Sequence, residues 1–507
     1  MQGFDQKMYA TWYNYKQMYR RPSKKKELIK RIAVYTAMTF SVLVIVTGLV
    51  FVTLGYRFDT DNGRVEQGAL LQFETIPSGA TIEIDGTAIS ARTPAKSSVM
   101  AGTHKFVMWR DGYETWQKTL DIKAGTLTWL NYTRLVPKNR PVASVAQYTS
   151  IQASLATVDG HSILVQQDAA VPTFQLVNLQ SDDIKTTTLT IPAVLYSEAS
   201  TAGVVHTFRV DQWDTGGRYV LLQHTYGNKK EWLVLDTTDI GATKNITKLL
   251  NFDITSAKFS GTSGNILYVL GAGNDIRKID LAAGTISRPL VTNVTSFELF
   301  ETNVITYVGT DPADPTKRVV GLYREGDSSP HVIRTVTSAA DVPLGISTSR
   351  YFNQAYVAIT EGNKVSIING SYPSSSSDNS SLVPFDTFNF VTAVSRVSFS
   401  ASGDYLLVQS GANFASYDIE HKKVTTSVVA SDVTATVAPL KWLDDNYIWS
   451  DYGGDVTIRE YDGANNNTIN KVVTGQDVVL SQNDRYLYSI GKNATGYQLQ
   501  RVRMILP

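Results

Sequence analysis

The chain has 507 residues, of which 18 % are charged, with a formal net charge of +1 and no cysteine. This length predicts about two to four domains, since single domains are usually much shorter. The balanced charge excludes the one-sided basic surface typical of nucleic-acid binding, and the lack of cysteine excludes disulfides and thiolate metal sites.

The first segment, residues 1–31, is predicted to be a cytoplasmic basic tail. It contains nine Lys or Arg and two acidic residues, a local net charge of +7. Tyr9, Tyr13, Tyr15 and Tyr19 lie among these charges. We interpret the tail as an interfacial segment on anionic lipid, because aromatic and basic residues concentrate at that boundary. Recognition of a cytoplasmic partner is the alternative.

Residues 32–55 are predicted to form a transmembrane helix. The run from Ile32 to Leu54 is uncharged, and a helix of that length rises about 1.5 Å per residue and spans a hydrocarbon core of roughly 30 Å. The positive flank precedes the helix, which places the N-terminus in the cytoplasm and exports the rest. A cleavable signal peptide is the alternative, but its apolar region would be shorter and the sequence VTLGYRF offers no good cleavage site.

The predicted localisation is therefore the cell membrane, with a single pass and the bulk of the chain extracytoplasmic. An exported protein of this size without cysteine fits a bacterial cell envelope that does not rely on disulfides. The first predicted partner is the membrane itself.

The next segment, residues 71–137, has the period-two pattern of half-buried strands. Apolar residues alternate with polar ones at Leu71, Phe73, Ala80, Ile82 and Ile84. Pro77 and Gly79 break the first strand, because proline lacks an N–H donor and glycine accepts a positive φ. Asp85-Gly86 is a favoured hairpin dipeptide and ends the second strand.

The order of these residues resembles the PEGA domain, a small bacterial β-sandwich named for a Pro-Glu-Gly-Ala signature. Pro77, Gly79 and Ala80 match the signature, with Ser78 in the Glu position, and Thr93-Pro94, Gly102 and Gly112-Tyr113 match later landmarks. The resemblance implies a stalk-like module between the membrane and a distal domain. A ligand site at Asp85, His104 and Tyr113 is the functional alternative, but turn and core roles explain these residues better.

The distal region, residues 142–507, repeats a pattern of polar turn, short apolar strand, Gly or Asn turn and second strand. Equivalent points in eight copies are Ile163, Tyr219, Ile266, Ile305, Tyr356, Tyr405, Tyr447 and Tyr486. Their spacings of 39 to 56 residues suit four-stranded blades and predict a seven- or eight-bladed β-propeller. A β-sandwich array or a β-helix is the alternative. The regular Gly-His and Trp-Asp pairs of WD40 repeats are missing from the copies.

No catalytic, cofactor-binding or metal-binding residue is predicted. The sequence contains no nucleophile elbow and no phosphate-binding loop. No two of the six histidines have the spacing of metal ligands: His104, His161, His206, His224, His331 and His421. Asp311 and Asp314 supply too few oxygens for Ca²⁺. Trp213 and Trp442 precede blade turns at similar places, which favours packing between blades over a sugar platform.

The sequence thus predicts a mainly β, non-enzymatic envelope protein that holds a propeller on a PEGA stalk to recognise a protein or a wall component. The expected partner is an envelope or cell-surface macromolecule, with no nucleic acid and no cofactor. A glycan- or peptide-processing propeller enzyme is the second hypothesis, because propeller glycosidases place carboxylates around a central funnel. A transmembrane sensor is the third hypothesis, although a tail of 31 residues is short for a signalling domain.

Overall fold

A computed structural model of the chain describes residues 23–53, 55–59, 64–373, 381–432 and 437–507. The tyrosine-rich part of the basic tail lies outside the described residues, so its interpretation as an interfacial segment stays a prediction.

The first described element is the helix α1, Lys24–Thr53. It begins eight residues before the uncharged run, so three lysines occupy its first turn. Its described side chains are exposed on all sides, as in a helix that faces lipid. Among the described residues, one helix is long and apolar enough to cross a membrane, within Lys24–Phe51. We therefore regard α1 as the candidate membrane anchor.

The chain divides into two compact units. The first contains the described part of Met1–Met108 together with Lys118–Thr133. The second contains Trp109–Gln117 and Arg134–Pro507.

The first unit contains a hairpin and two small sheets. The hairpin pairs β1 (Tyr56–Asp59) with β2 (Arg64–Gln67). The sheet strands are β3 (Ala69–Ile76), β4 (Thr81–Ile84), β5 (Thr87–Arg92), β6 (Ala95–Val99), β7 (Gly102–Trp109), β8 (Trp116–Ile122) and β9 (Leu127–Arg134). Their orders are β6-β3-β9 and β5-β4-β7-β8.

Alternating residues from both sheets form one buried core, as the sequence pattern predicted. Leu71, Phe73, Ile82, Phe106 and Leu130 are all nearly inaccessible to solvent. The rings of Phe73 and Phe106 lie 5.8 Å apart between the two sheets. Two sheets that share a core of alternating inward side chains form a β-sandwich, which confirms the predicted fold of this segment.

The predicted turn residues have the expected backbone conformations. Asp85 and Gly86 have φ of 52° and 80°, which is the left-handed pair required by a two-residue hairpin loop between β4 and β5. Gly79 has φ of 89°, and β3 ends just before Pro77. These residues shape the fold, as the sequence indicated.

The second unit contains the distal strands, which form eight four-stranded antiparallel sheets among the described residues. Sheet 1 contains β11 (Ala153–Ala156), β12 (Ser162–Gln166), β13 (Thr173–Asn178) and β14 (Lys185–Thr190). Sheet 2 contains β15 (His206–Trp213), β16 (Tyr219–Tyr226), β17 (Lys229–Asp236) and β18 (Lys244–Asn245). Sheet 3 contains β19 (Ile254–Phe259), β20 (Ile266–Gly271), β21 (Ile276–Asp280) and β22 (Thr285–Ile286). Sheet 4 contains β23 (Val294–Phe300), β24 (Val304–Thr310), β25 (Arg318–Arg324) and β26 (His331–Val336).

The remaining sheets follow the same order. Sheet 5 contains β27 (Leu344–Tyr351), β28 (Gln354–Glu361), β29 (Lys364–Gly370) and β30 (Leu382–Asn389). Sheet 6 contains β31 (Arg396–Phe399), β32 (Tyr405–Ser410), β33 (Asn413–Asp418) and β34 (Lys423–Val428). Sheet 7 contains β35 (Lys441–Trp442), β36 (Tyr447–Ser450), β37 (Asp455–Glu460) and β38 (Asn467–Lys471). Sheet 8 contains β39 (Val479–Leu480), β40 (Tyr486–Asn493), β41 (Gly496–Arg503) and β10 (Val142–Tyr148). A short helix, α2 (Ile246–Leu250), follows β18.

Sheet 8 joins the two ends of the distal region, because β10 pairs with β41 from Val142↔Val502 to Tyr148↔Tyr497. In several consecutive sheets the first strands contact each other, as β11 contacts β15 and β27 contacts β31. Repeated four-stranded meanders with neighbouring first strands and a shared closing sheet define a β-propeller. The sequence predicted seven or eight blades, and eight such sheets are present among the described residues.

The repeat alignment is confirmed at every copy. Each of the eight equivalent points lies in the second strand of a different sheet: Ile163, Tyr219, Ile266, Ile305, Tyr356, Tyr405, Tyr447 and Tyr486. Hydrophobic clusters form between consecutive sheets, as where Leu221 and Trp232 of sheet 2 pack with Ala257 and Leu267 of sheet 3. The apolar residues of each repeat therefore form sheet faces that are buried against the neighbouring sheets.

Two segments that the sequence assigned to the 71–137 module pack within the second unit. Trp116 is buried and donates its Nε1–H to Oε1 of the fully buried Glu460. The hydroxyl of Tyr113 accepts a hydrogen bond of 2.7 Å from the backbone N–H of Leu506. Because these are buried polar contacts, the segment Trp109–Gln117 contributes to the stability of the propeller unit.

Arg134, from the second of these segments, forms ion pairs with two aspartates of the propeller. Its NH2 lies 2.9 Å from Oδ2 of Asp444 and 3.0 Å from Oδ1 of Asp484, and its backbone N–H donates to the hydroxyl of Tyr447 at 2.9 Å. Burial lowers the pKa of the guanidinium, but the two carboxylates outweigh that effect and raise the pKa above its ordinary value. Arg134 therefore stays charged and joins sheets 7 and 8.

Candidate binding cleft

A cleft of about 470 Å³ opens where sheets 1, 7 and 8 meet. Its walls are the turn 157–160 after β11, the residues Lys441–Leu443 around the end of β35, and the segment 477–482 around β39. All three segments follow or include the first strand of their sheet. The loops that connect propeller strands can vary without disturbing the core, so this position is well suited to recognition.

An ion pair crosses the cleft. Nζ of Lys441 lies 2.6 Å from Oδ1 of Asp477 and 5.3 Å from the ring centroid of Trp449. Oδ2 of Asp477 accepts from the backbone N–H of Ala156 at 3.0 Å, and its own N–H donates to Ser154 Oγ at 2.9 Å. The Asp477 side chain is mostly buried whereas half of the Lys441 side chain is exposed. The carboxylate is therefore fixed by three sheets, and the Lys441 side chain is partly open to solvent.

Trp442 lines the same cleft and packs with Leu440 and Ile448 against Phe414 of sheet 6. Its Nε1–H is buried and has no hydrogen-bond partner among the described residues. A buried donor without an acceptor costs free energy. Because neighbouring residues of a strand point to opposite faces, this indole packs on the sheet 6 side of sheet 7 and not beside the Lys441 ammonium.

The rim carries a second polar group. Asp159 accepts hydrogen bonds from Thr157 Oγ1 at 2.6 Å and from the His161 N–H at 3.0 Å. The His161 ring lies 2.9 Å from the other Asp159 oxygen through Nδ1, and its Nε2 lies 2.8 Å from Oε1 of Gln482. The rim is thus held together between sheets 1 and 8.

The cleft combines the half-exposed side chain of Lys441, the indole ring of Trp449 and three carboxylates. Each carboxylate already has a partner: Asp477 binds Lys441, Asp159 binds His161, and Asp484 binds Arg134. Bound carboxylates and aromatic rings suit the recognition of hydroxyl, amide or ammonium groups.

The structure also brings together histidines that the sequence treated as isolated. Nδ1 of His224 lies 2.7 Å from Oε1 of Glu231, and Nε2 of His224 lies 2.9 Å from Nδ1 of His206. Glu231 accepts further hydrogen bonds from the N–H and Oγ of Ser197 at 2.9 and 2.6 Å. His206, His224 and Glu231 lie on the three neighbouring strands β15, β16 and β17 of sheet 2. Among the described residues no group of three or more potential ligands is arranged to hold a metal ion.

The other residues singled out from the sequence have local structural contacts. Oδ2 of Asp85 lies 2.6 Å from Nδ1 of His104, and Tyr113 is buried. The hydrogen bond from His104, aided by the Lys105 N–H, lowers the pKa of Asp85. Asp311 and Asp314 accept hydrogen bonds from backbone and side-chain donors of their own turn. These contacts agree with the turn and core roles expected for them.

The prediction that Trp213 and Trp442 pack between blades is confirmed, and Trp442 also borders the cleft. Nε1 of Trp213 donates to the backbone oxygen of Leu155 in sheet 1 at 3.0 Å, so Trp213 packs between sheets. Trp442 packs between sheets 6 and 7 and also lines the cleft. The sequence did not single out Lys441 or Asp477, because the cleft depends on which sheets meet when the ring closes. For Lys441 the available signal was its position directly before Trp442, whereas Asp477 had no such signal.

The fold defines a β-propeller protein with a candidate membrane helix. Within it, residues 69–138 match the family model of the PEGA domain, which confirms the resemblance seen in the sequence. No curated protein sequence matches the chain.

Two solved structures resemble the propeller. The C-terminal WD40 domain of Sif2 has 12 % identity and a TM-score of 0.47, with 72 % of this chain and 99 % of that chain covered. The Myceliophteria thermophila Cps50 (Swd1) β-propeller domain has 12 % identity and a TM-score of 0.36, with coverages of 73 % and 100 %. Both are too distant to inform function, and the propeller class rests on the sheet order. A PEGA domain, a propeller and a candidate membrane helix together fit a membrane-anchored binding or structural role.

Proposed function

We propose that this protein is a non-enzymatic binding protein of a bacterial cell envelope. The helix α1 anchors it by a single pass with the basic tail in the cytoplasm, and both units lie outside. The propeller recognises a protein or a wall component through the cleft between sheets 1, 7 and 8.

The observation that carries the proposal is the half-exposed side chain of Lys441, whose ammonium is held by Asp477 beside the Trp449 ring where three sheets meet. A ligand with carboxylate or hydroxyl oxygens would accept a hydrogen bond from that ammonium. Wall peptides and glycans carry such oxygens, as do the side chains of envelope proteins.

The absence of an enzymatic role is supported by the state of the cleft carboxylates, each of which is engaged by a cation or a backbone donor. A general acid needs a carboxyl whose pKa is raised toward neutrality by an apolar environment.

The test uses a soluble fragment from Leu70 to Pro507, which we expect to fold because it contains both β units. The immobilised fragment is incubated with solubilised envelope proteins and with isolated wall fragments. Lys441→Ala is the test variant and Lys471→Ala is the matched control, because Lys471 forms an equivalent 2.6 Å pair with Asp455 in the same sheet but outside the cleft.

We expect the wild-type fragment and Lys471→Ala to retain the same partner, and Lys441→Ala to lose most of it. Equal retention by all three fragments would place recognition elsewhere. Turnover of glycan or peptide substrates that Asp477→Asn abolishes without unfolding would replace this proposal with the enzyme hypothesis.

A further inference from the structure

The end of α1 is tied by backbone hydrogen bonds to one edge of the β-sandwich in the first unit. The rings of Phe51 and Tyr56 lie 5.0 Å apart where the helix meets β1. Gly68 donates its N–H to the oxygen of Gly55 at 3.0 Å, and the Gly68 oxygen accepts from the N–H of Gly125 at 3.0 Å. The turn 123–126 between β8 and β9 therefore lies near the end of the helix.

These contacts depend on close backbone approach. A Cβ on Gly68 would meet the backbone oxygen of Val99 at 2.9 Å, and a Cβ on Gly125 would meet the Gln67 side chain at 2.9 Å. Gly125 also has φ of 71°, in the left-handed region. The link from helix to sandwich is therefore short and tightly packed.

Next to this link, the outer face of the sheet β6-β3-β9 is apolar. Leu70, Leu127 and Trp129 are 41 %, 46 % and 47 % exposed. The N–H of Leu70 donates to the oxygen of Thr126 at 2.9 Å, which places Leu70 beside the start of β9. Residues two apart on a strand share a face, so Leu127 and Trp129 lie on one side of β9.

The same face becomes polar farther along the strands. Glu74 of β3, Lys96 of β6 and Asn131 of β9 are exposed there, and Lys96 is opposite Gln72 in the register with β3. The face thus has an apolar end next to the helix and a polar end away from it. Lys123, which is exposed in the linking turn, adds a cation at the apolar end.

We propose that this apolar end, formed by Leu70, Leu127 and Trp129, contacts the lipid surface beside α1. Aromatic and aliphatic side chains next to a lysine match the boundary between headgroups and acyl chains. The sandwich then contacts the outer leaflet through the apolar end of this sheet face. The inference depends on the proposed anchoring by α1, and the experiment separates the two.

The chain has no cysteine, so single cysteines can be introduced without background labelling. Leu127→Cys and Trp129→Cys are the test variants, and Asn131→Cys is the matched control on the same strand and face. Each full-length protein is labelled with an environment-sensitive fluorophore and reconstituted into vesicles of equal parts phosphatidylcholine and phosphatidylglycerol. Flotation of the vesicles reports anchoring independently of the label.

We expect all variants to float, and brominated lipids to quench the labels at 127 and 129 several-fold more strongly than the label at 131. Aqueous iodide should show the opposite order. Flotation with equal iodide quenching at the three positions would overturn the inference while leaving the anchor intact. Labels at 127 and 129 shielded from both quenchers would show that a second copy or another protein covers the face, which also overturns it. Failure to float would overturn the anchoring and this inference together.

Discussion

Nδ1 of His224 lies 2.7 Å from Oε1 of Glu231, and both side chains are almost completely buried in sheet 2. Desolvation raises the pKa of Glu231, but hydrogen bonds from His224 and Ser197 outweigh it and lower the pKa from 4.5 to about 2. Since the unfolded carboxyl binds a proton more readily, the interaction stabilises the fold above pH 4.5. That contribution is lost as the pH falls toward 2.

We therefore predict that Glu231→Gln lowers the unfolding free energy at neutral pH by about 1 to 3 kcal/mol. The difference from wild type should shrink as the pH falls from about 4.5 to about 2. Urea midpoints of the full-length protein in detergent measure both effects. Glu198→Gln is the control, since Glu198 is exposed nearby and bonds the Thr201 hydroxyl. A difference that stays constant over this pH range would show that the Glu231 carboxylate is not responsible.

The two tryptophans of the repeat offer a matched comparison of a partnered and an unpartnered indole donor. Trp213→Phe removes the hydrogen bond to Leu155 and should destabilise the propeller by about 1 kcal/mol without changing partner binding. Trp442→Phe removes a donor that has no partner among the described residues, so stability should be unchanged or slightly higher. Partner binding to Trp442→Phe should equal that of wild type, because this indole packs toward sheet 6 and its Nε1 is buried.

Urea midpoints and binding titrations of the same two variants check this comparison. Destabilisation of Trp442→Phe as strong as that of Trp213→Phe would contradict the unpartnered donor. A loss of binding of about tenfold by Trp442→Phe would contradict its assignment as a packing residue.

Glycines with positive φ should be sensitive to any side chain. Gly79 and Gly112 have φ of 89° and 84°, and a Cβ on Gly112 would also meet Cδ1 of Leu506 at 2.9 Å. We expect Gly79→Val and Gly112→Val to destabilise their units by about 1 to 3 kcal/mol. Gly241→Ala is the control because its φ lies outside the left-handed region. Scanning calorimetry of the full-length variants should show the loss, and thermograms that match wild type would remove the conformational argument.

Membrane topology can be tested with single cysteines. Val158 is 85 % exposed in the propeller, and Lys24 begins α1. We predict that a membrane-impermeant maleimide labels Val158→Cys in spheroplasts, whereas it labels Lys24→Cys only after lysis. Label on the mature protein at position 24 would also show that no signal peptide was removed. Labelling at position 24 before lysis would reverse the orientation, and loss of that segment from the mature protein would favour the signal peptide.

Much of the fold could be predicted because it depends on local patterns. The repeat points fall on second strands since each blade supplies its own hydrophobic strand and turn residues, and Asp85-Gly86 fixes a hairpin by its own dihedral preferences. The pairing of His206 with His224 could not be predicted from spacing. It depends on the register between β15 and β16, in which Phe208 is opposite His224.

The candidate cleft was harder to predict, because its residues are far apart in the sequence. Asp477 binds the backbone of Ala156 only because the last sheet lies beside the first. Trp116 likewise reaches Glu460 across a long sequence separation, although the pattern placed it in a module ending at residue 137. Contacts of this kind depend on the packing of segments that are far apart in the sequence, and no local pattern encodes them.

The most direct test of the binding role is photo-crosslinking in intact cells of the source organism. A photoreactive amino acid replaces Gln482 at the exposed rim of the cleft, and in a second protein it replaces Phe352, an 82 % exposed hairpin residue that does not line the cleft. We predict a discrete crosslinked product from position 482 that disappears when Lys441→Ala is added, and no such product from position 352. No product from position 482, or the same product from both positions, would contradict recognition through the cleft.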